Sequence, residues 1–363
     1  MISAVTVIGD LLRPTGRGDP GGVNGPTIWL YNAVKRQVAL ACGLLVSVLS
    51  THHMPALADA LRAERPVERA ALHWAAGYHR LQDPAAFNHH VMPRLRQQFC
   101  IGYELPPYLV AILEAADIPY IDIRVHPGRF LDDLLFAVRA PHPETRSALL
   151  DIAVPEAEVI VTAGLREAMC QMITQSSLPE DTMLVLGQRP MDATQIIAGG
   201  FYDAMEQADE IAALCSRHHA VLLKPHPQER EHSLLVVAAG VARNVIGVTD
   251  DNLYRLLSLP QVTAVLTVNS SAAYEVPYFG KRVHALAPLP LAVAWRGDAP
   301  APGQHASLDD RVLTVDFWRT ALAPHAPVSR EDGVRLTPKP NRLRIALDSF
   351  WNFQEIDTDR VPA

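Results

Sequence analysis

A chain of 363 residues exceeds what one hydrophobic core usually organises, so two domains are expected. With 49% hydrophobic and 20% charged residues, the composition excludes a disordered chain. The net charge of −7 argues against general nucleic-acid binding, which needs a basic face, but leaves room for a local basic pocket around one anionic ligand.

The four cysteines, Cys42, Cys100, Cys170 and Cys215, lie far apart without a CxxC pair, so reduced thiols are expected rather than a zinc or disulfide framework. The opening stretch MISAVTVIGDLLRP lacks the basic and then apolar pattern of a signal peptide. The longest apolar run, Val38–Ser50, has about 13 residues, short of the roughly 20 that span a bilayer. A cytoplasmic protein is expected, and peripheral contact with the inner face of the cytoplasmic membrane is compatible with that.

In chain order, AVTVIGD (Ala4–Asp10) reads as a buried strand closed by Gly-Asp, followed by a Gly/Pro loop from Pro14 to Pro26. IWLYNAVKRQVALAC and VERAALHWAAGYHRLQ have helical spacing. YLVAILEAADIPYIDIRV reads as a helix that stops before Pro119 and a strand from Tyr120 to Val125. LDDLLFAVRA reads as a further helix, with Asp132 and Asp133 in its first turn, where negative charge suits the helix dipole. After Pro155, AEVIVTAGLREAMCQMI fits a strand then a helix, or one helix. TMLVLGQ, AVLLKPHP, NVIGVTD, VTAVLTVNSS and KRVHAL read as strands, separated by FYDAMEQADEIAALCSRHH, the ambiguous LLVVAAGV, DNLYRLLSLP (capped by Asp250 or Asp251) and AAYEVPYFG. Strands alternating with helices predict an α/β chain with mostly parallel sheets, the stretch from Leu184 to Leu286 being doubly wound. NRLRIALDSFWNF is expected to form a C-terminal helix. The division expected is residues 1–160, 161–330 and a tail of 331–363.

Several strand ends carry chemistry. Lys224-Pro225-His226-Pro227 follows an apolar strand, and each proline pushes the residue before it out of the helical region. Lys224 and His226 are thus held extended as two candidate phosphate ligands. Asn269-Ser270-Ser271 closes another strand and opens a helix. Serines there either cap the helix or donate to an anion at its N-terminus. LGQRPMDATQ places Asp192, Thr194 and Arg189 in a third strand-end loop, where Asp192 also fits a simple cap. In a parallel sheet all three loops open at one edge, the edge at which open α/β domains bind ligands. In the first half, GYELPP carries Glu104 in a turn, and YIDIRVHPGRFLDD carries Asp122, Arg124, His126 and Arg129. The Gly16, Gly18 and Gly21 spacing imitates a dinucleotide fingerprint but lacks the strand–turn–helix context. The pairs His52-His53, His89-His90 and His218-His219 read as surface or core histidines, since adjacent side chains diverge.

QRPMDAT, KPHP and NSSAAYEVPYFGKRV, in this order, resemble bacterial GT-B glycosyltransferases that use CMP-activated sugars, most of all the retaining β-Kdo transferases of the glycosyltransferase family 99 type and the related capsule-linker enzymes. The likeness covers roughly residues 100–285, and the His-Pro and Ser-Ser elements are shared with bacterial sialyltransferases. The resemblance implies a GT-B-like α/β fold of two Rossmann-like domains facing a cleft. It further implies metal-independent transfer of Kdo from CMP-β-Kdo to a cell-surface glycan, an O-antigen or capsule acceptor that can be lipid-linked, with no cofactor. It assigns Asp192 as the catalytic aspartate that forms a covalent adduct. Asp122 and Glu104 are its two candidates for the second catalytic carboxylate. Lys224, His226, Pro227, Ser270, Ser271, Asn269, Glu275 and Gln188 fall on the donor side. Arg189, Arg124, His126 and Arg129 fall to the sugar carboxylate or the acceptor. Thr194 stands where the capsule enzymes have serine, and YIDIRVHP matches their acidic segment only loosely. A transferase for another CMP-sugar, a nucleotide-sugar epimerase of similar shape and a non-catalytic nucleotide- or glycan-binding protein of the same fold are the alternatives. Acceptor sugar and oligomeric state are not readable from the sequence.

Overall fold

The first strand, β1 (Ala4–Ile8), is apolar, β-branched and buried from Val5 onward, as a strand covered on both faces must be. The computed structural model describes residues 2–14, 25–50, 56, 69–82, 84–173, 177–227, 232–330, 339, 341–347 and 349. The Gly16–Gly21 loop and His52-His53 lie outside them. Around β1 the chain builds β2 (Val46–Leu49), β3 (Gln98–Tyr103), β4 (Tyr120–Val125) and β5 (Phe136–Arg139). β2, β1, β3 and β4 run parallel, whereas β5 is antiparallel to β4. One face packs Val5, Val7, Ile121 and Ile123 against helices Gly25–Cys42 and Val315–Leu322. On the other face Ile8, Cys100 and Tyr120 meet helix Pro107–Ala115.

The β5 segment corrects the helix expected over LDDLLFAVRA. Its short apolar run, Phe136 to Val138, carries no period that separates strand from helix, and cross-strand pairing decides. Asp133 does not start a helix there. It caps a distant one, accepting hydrogen bonds from the Leu343 (2.9 Å) and Arg344 (3.1 Å) amides of helix Arg342–Leu347.

The second sheet begins with β6 (Thr182–Leu186). A small hairpin follows, β7 (Ile196–Ile197) and β8 (Gly200–Phe201), and then β9 (Ala220–Lys224), β10 (Val245–Val248), β11 (Val262–Thr267) and β12 (Arg282–Ala285). Its order is β10-β9-β6-β11-β12, all parallel. Building outward from β6, first to one side and then to the other, reverses direction between β6 and β11 and opens a crevice at their carboxyl ends. AEVIVTAGLREAMCQMI is one helix, Glu156–Ile173, and LLVVAAGV lies in helix Ser233–Val241. Helix Leu253–Leu257 is capped by Asn252, not Asp250 or Asp251: its carboxamide oxygen accepts from the amides of Tyr254 and Arg255.

The chain then returns to the first sheet. β13 (Ala292–Ala294) and β14 (Gln304–Leu308) extend it in the order β13-β14-β5-β4-β3-β1-β2, with β14 antiparallel to β5. The expected assignment of residues 161–330 to one unit thus meets two strands that pair elsewhere. The architecture is α/β, two Rossmann-like units facing a cleft. Among the described residues no helix is long and apolar enough to cross a membrane.

The β4–β5 loop is one of the links between the units. It pushes Phe130, fully buried, into the core of the second unit, where its ring lies 5.4 Å from Phe279 and 6.2 Å from Tyr254. Arg344 donates to the carbonyls of Arg129 (2.6 Å) and Leu131 (2.8 Å) on either side of it. Truncating a buried aromatic side chain costs about 3–5 kcal/mol. Phe130→Ala is therefore expected to lower the free energy of unfolding, measured by denaturant titration, by that order, and a surface-like loss below about 0.5 kcal/mol would contradict its role as a plug.

Candidate active site

Three strand-end loops of the second sheet open into one cleft of about 880 Å³. Lys224 ends β9, nearly buried, in register with Leu186 at the end of β6. The Gly187 amide donates to the Lys224 carbonyl at 2.9 Å, which ties the two strand ends together. Gly187 suits this close approach: a Cβ would lie 2.9 Å from Leu235 Cδ1 and 3.3 Å from the His226 backbone nitrogen, so a neighbour would have to give. The close approach brings the Lys224–Pro227 segment beside the β6 loop, and Lys224, His226 and Pro227 all line the cleft.

After β11, Ser270 and Ser271 line the same cleft. The helix they open, Ala272–Glu275, is a single α turn continued by a 3₁₀ turn, Val276–Phe279, so its dipole is small. What the turn offers is hydroxyls. Ser270 Oγ accepts from the Ala272 amide at 3.3 Å, while Ser271 makes no capping bond with its side chain. Asp192, half-buried after β6, accepts on Oδ1 from the amide and the hydroxyl of Thr194, both at 3.0 Å. Those bonds fix the carboxylate and leave its second oxygen as the one to present to the cleft it lines. Arg189 stands exposed at the rim.

Gln188 and Asn269 line the cleft but act mainly as staples between its loops. Gln188 Oε1 accepts from the Thr267 hydroxyl (3.0 Å) and the Asn269 amide (2.9 Å), and its Nε2 donates to Asn269 Oδ1 (3.2 Å). Asn269 Nδ2 in turn donates to the Thr194 carbonyl at 2.6 Å. The Asp192 loop and the Ser270 turn are thereby held as one body. Glu275 is buried, accepting on Oε1 from the Arg129 amide (2.6 Å) and the Tyr254 hydroxyl (3.0 Å). Burial pushes its carboxyl up to about 7, against those hydrogen bonds and the charges of Arg129 and Arg344.

The first unit supplies the opposite wall, with Glu104, Arg124, Arg129, Arg13, Tyr78 and His305 among its lining residues. Glu104 sits in the left-handed region (φ 50°) at the end of β3, its side chain 37% exposed and 3.8 Å from Arg13. Desolvation raises its pKa, opposed by Arg124 and Arg13 and reinforced by the charges of Asp192 and Asp122. Asp122 does not reach the cleft. It is 0% exposed and accepts from Arg124 Nε (2.9 Å) and the Leu105 amide (2.8 Å). Burial opposes its ionisation, but Arg124, His305 and Arg139 together hold its carboxyl well below the usual range. His126 is likewise absent from the lining. Its Nδ1 accepts from the Gly128 amide at 2.9 Å and its Nε2 lies 3.2 Å from Ser307 Oγ, so it shapes the loop that carries Arg129. Burial, with Arg129 and His305, lowers its pKa to about 3.

Several lining residues escaped the sequence reading. Asp10, at the end of β1, accepts from Trp74 Nε1 (2.6 Å), the Tyr108 hydroxyl (3.1 Å) and the Leu12 amide (2.9 Å). Its signal was present, a carboxylate closing an apolar strand, as in the second sheet. Arg139 and His305 carried none, because only the pairing of β4, β5 and β14 aligns them.

No family model and no curated protein matches the chain. Among solved structures, the Thermosulfurimonas dismutans KpsC β-Kdo 2,4 transferase is 12% identical, with 88% of this chain and 90% of that one covered and a TM-score of 0.39. The β-Kdo 2,7 transferase of the same KpsC is 12% identical over 56% of this chain and 69% of that one, TM-score 0.34. A UDP-GlcNAc 2-epimerase from Neisseria meningitidis, bound to UDP-GlcNAc, is 11% identical over 78% and 82%, TM-score 0.24.

The Glu275 junction has a measurable pH signature. Between the ordinary carboxylate value of 4.5 and about 7, the folded protein binds more protons at Glu275 than the unfolded chain does. Stability is then greatest at low pH in this window and falls as pH rises through about 7. Glu275→Gln is expected to remove a decline of the order of 2 kcal/mol between pH 5 and 7.5, measured by denaturant unfolding. Identical slopes in both proteins would refute it.

Proposed function

We propose that the chain is a glycosyltransferase that moves a sugar from a CMP-sugar donor to a glycan acceptor, the motifs favouring Kdo as the sugar. The observation that carries this reading is convergence. A lysine and a histidine in front of prolines, a serine pair and a fixed carboxylate meet at the switch point of a parallel sheet, and a second carboxylate, Glu104, faces the same cleft from the other unit.

In the proposed reaction Lys224, His226, Ser270 and Ser271 hold the donor phosphate and stabilise the charge that develops as CMP departs. Asp192 attacks the anomeric carbon and forms a glycosyl ester. The acceptor hydroxyl then displaces Asp192 while giving its proton to Glu104, so two inversions retain configuration. Glu104 suits this role better than Asp122. Its desolvated carboxyl is the stronger base and it borders the cleft, whereas Asp122 is sealed against Arg124. Arg189, Arg129 and Arg124 border the space left for the sugar carboxylate and the acceptor. A lipid-linked polysaccharide acceptor would place the reaction at the cytoplasmic face of the membrane. No cofactor enters the scheme.

The test is a donor assay. Incubation with CMP-Kdo and, separately, CMP-sialic acid is expected to release CMP from CMP-Kdo. Asp192→Ala should lower turnover by about 10³-fold or more, and His226→Ala by about 10²-fold, with both variants folded. Release only from CMP-sialic acid would reject Kdo, and wild-type turnover by Asp192→Ala would reject the mechanism.

A further inference from the structure

Three neighbouring strands of the first sheet carry a polar row. Asp122 on β4 is in register with Arg139 on β5. On the antiparallel ladder of β5 and β14 the pairs are Leu308 with Phe136, Ser307 with Ala137 and Ala306 with Val138, and one further step sets His305 beside Arg139. Residues two apart on a strand share a face, so Arg124 and Ser307 join the row. A polar row on the central strands of a sheet is costly to desolvate, and it calls for a reason.

The row is rich in donors and short of acceptors. Asp122 is its one carboxylate, and Arg124 already takes it with Nε at 2.9 Å while giving another donor to the Leu105 carbonyl at 2.6 Å. Arg139 reaches Asp122 only at 3.7 Å, as does His305, beyond hydrogen-bond length. Arg139 Nε and both ring nitrogens of His305 are buried without a hydrogen-bond partner among the described residues. His305 is 4% exposed, yet it lines the cleft together with Arg139 and Arg124. The other acids of this wall have partners: Glu104 faces Arg13, and Glu114 accepts from the Tyr120 hydroxyl at 2.7 Å. The Arg139 guanidinium also stands 5.7 Å over the Tyr120 ring, which restrains its plane.

We propose that Arg139 and His305, with Arg124 beside them, form a subsite on the first-unit wall of the cleft that binds an oxyanion, a carboxylate or a phosphate, carried by the acceptor. A two-oxygen anion supplies what the row lacks, because a guanidinium fork and an imidazole N–H point several donors at one small acceptor group. Naming the carrier an acceptor rests on the glycosyltransferase reading. The anion site itself does not.

Calorimetric titration tests the subsite in protein saturated with CMP, so that the donor edge is filled. The probes are glucuronate, glucose 1-phosphate and glucose. At least one anionic probe is expected to bind tenfold or more tightly than glucose, and the tighter of the two identifies the oxyanion. Arg139→Gln should weaken that binding at least tenfold and His305→Gln several-fold, while Arg139→Lys recovers part of it. Thermal unfolding of each variant checks the fold, and if Arg139→Gln does not fold the other two variants carry the comparison. Anions that bind no better than glucose, or that bind folded Arg139→Gln and His305→Gln as tightly as wild type, would overturn the proposal. Failure of CMP to bind would count against the function proposed above. The same anion titration without CMP would then still decide the subsite by its dependence on Arg139 and His305.

Discussion

The geometry of the cleft depends on a buried junction that helps to hold the two sheets against each other. Phe130 leaves the first sheet and fills the core of the second unit, and the adjacent Arg129 amide bonds the buried Glu275 at 2.6 Å. Glu275 follows directly from the serine turn, so the bond that joins the units also sets the position of Ser270 and Ser271 relative to Arg129. Tyr254 holds the same carboxylate oxygen from helix Leu253–Leu257, and Arg344 clamps the loop from behind. A carboxyl buried at such a cost is kept where several donors share it, and here the donors come from separate segments of the chain.

From that junction the division of labour follows. The second sheet presents loops locked by side-chain hydrogen bonds: Gln188 and Asn269 hold the β6 and β11 loops together, and Gly187 lets the β9 segment approach. The residues left to face the cleft, Lys224, His226, Ser270, Ser271 and Asp192, are thereby preorganised. The first sheet contributes a wall of the opposite kind. Its polar face buries Asp122 under Arg124 and sets Arg139 and His305 in the lining of the cleft.

Local signals carried the second unit. Apolar strands ending in Lys-Pro-His-Pro, Gln-Arg-Pro-Met-Asp and Asn-Ser-Ser were legible because a parallel sheet puts all strand ends on one side, and topology turns that side into a site. What failed was long-range. LDDLLFAVRA became a strand through pairing with β4 and β14, and Asp133 capped a helix more than two hundred residues away. β14 returned to the first sheet and brought His305 with it, which no local pattern announces. Asp122 lies on the same face of the sheet as Arg124, Arg139 and His305, but Arg124 covers it, and no local pattern announces that cover. Glu104, in a Pro-bounded turn beyond the strand end, was the better candidate for the same reason that served the second sheet.

The central claim is that the carboxyl edge of the second sheet holds a nucleotide phosphate. The direct measurement is a calorimetric titration of CMP and of cytidine into the wild-type protein and into a Ser270→Ala, Ser271→Ala double variant. The account predicts that CMP binds more than tenfold tighter than cytidine, and that the double variant loses most of this difference while its cytidine affinity stays unchanged. Equal binding of CMP and cytidine by the wild type, or a double variant that keeps the full preference for CMP, would contradict it.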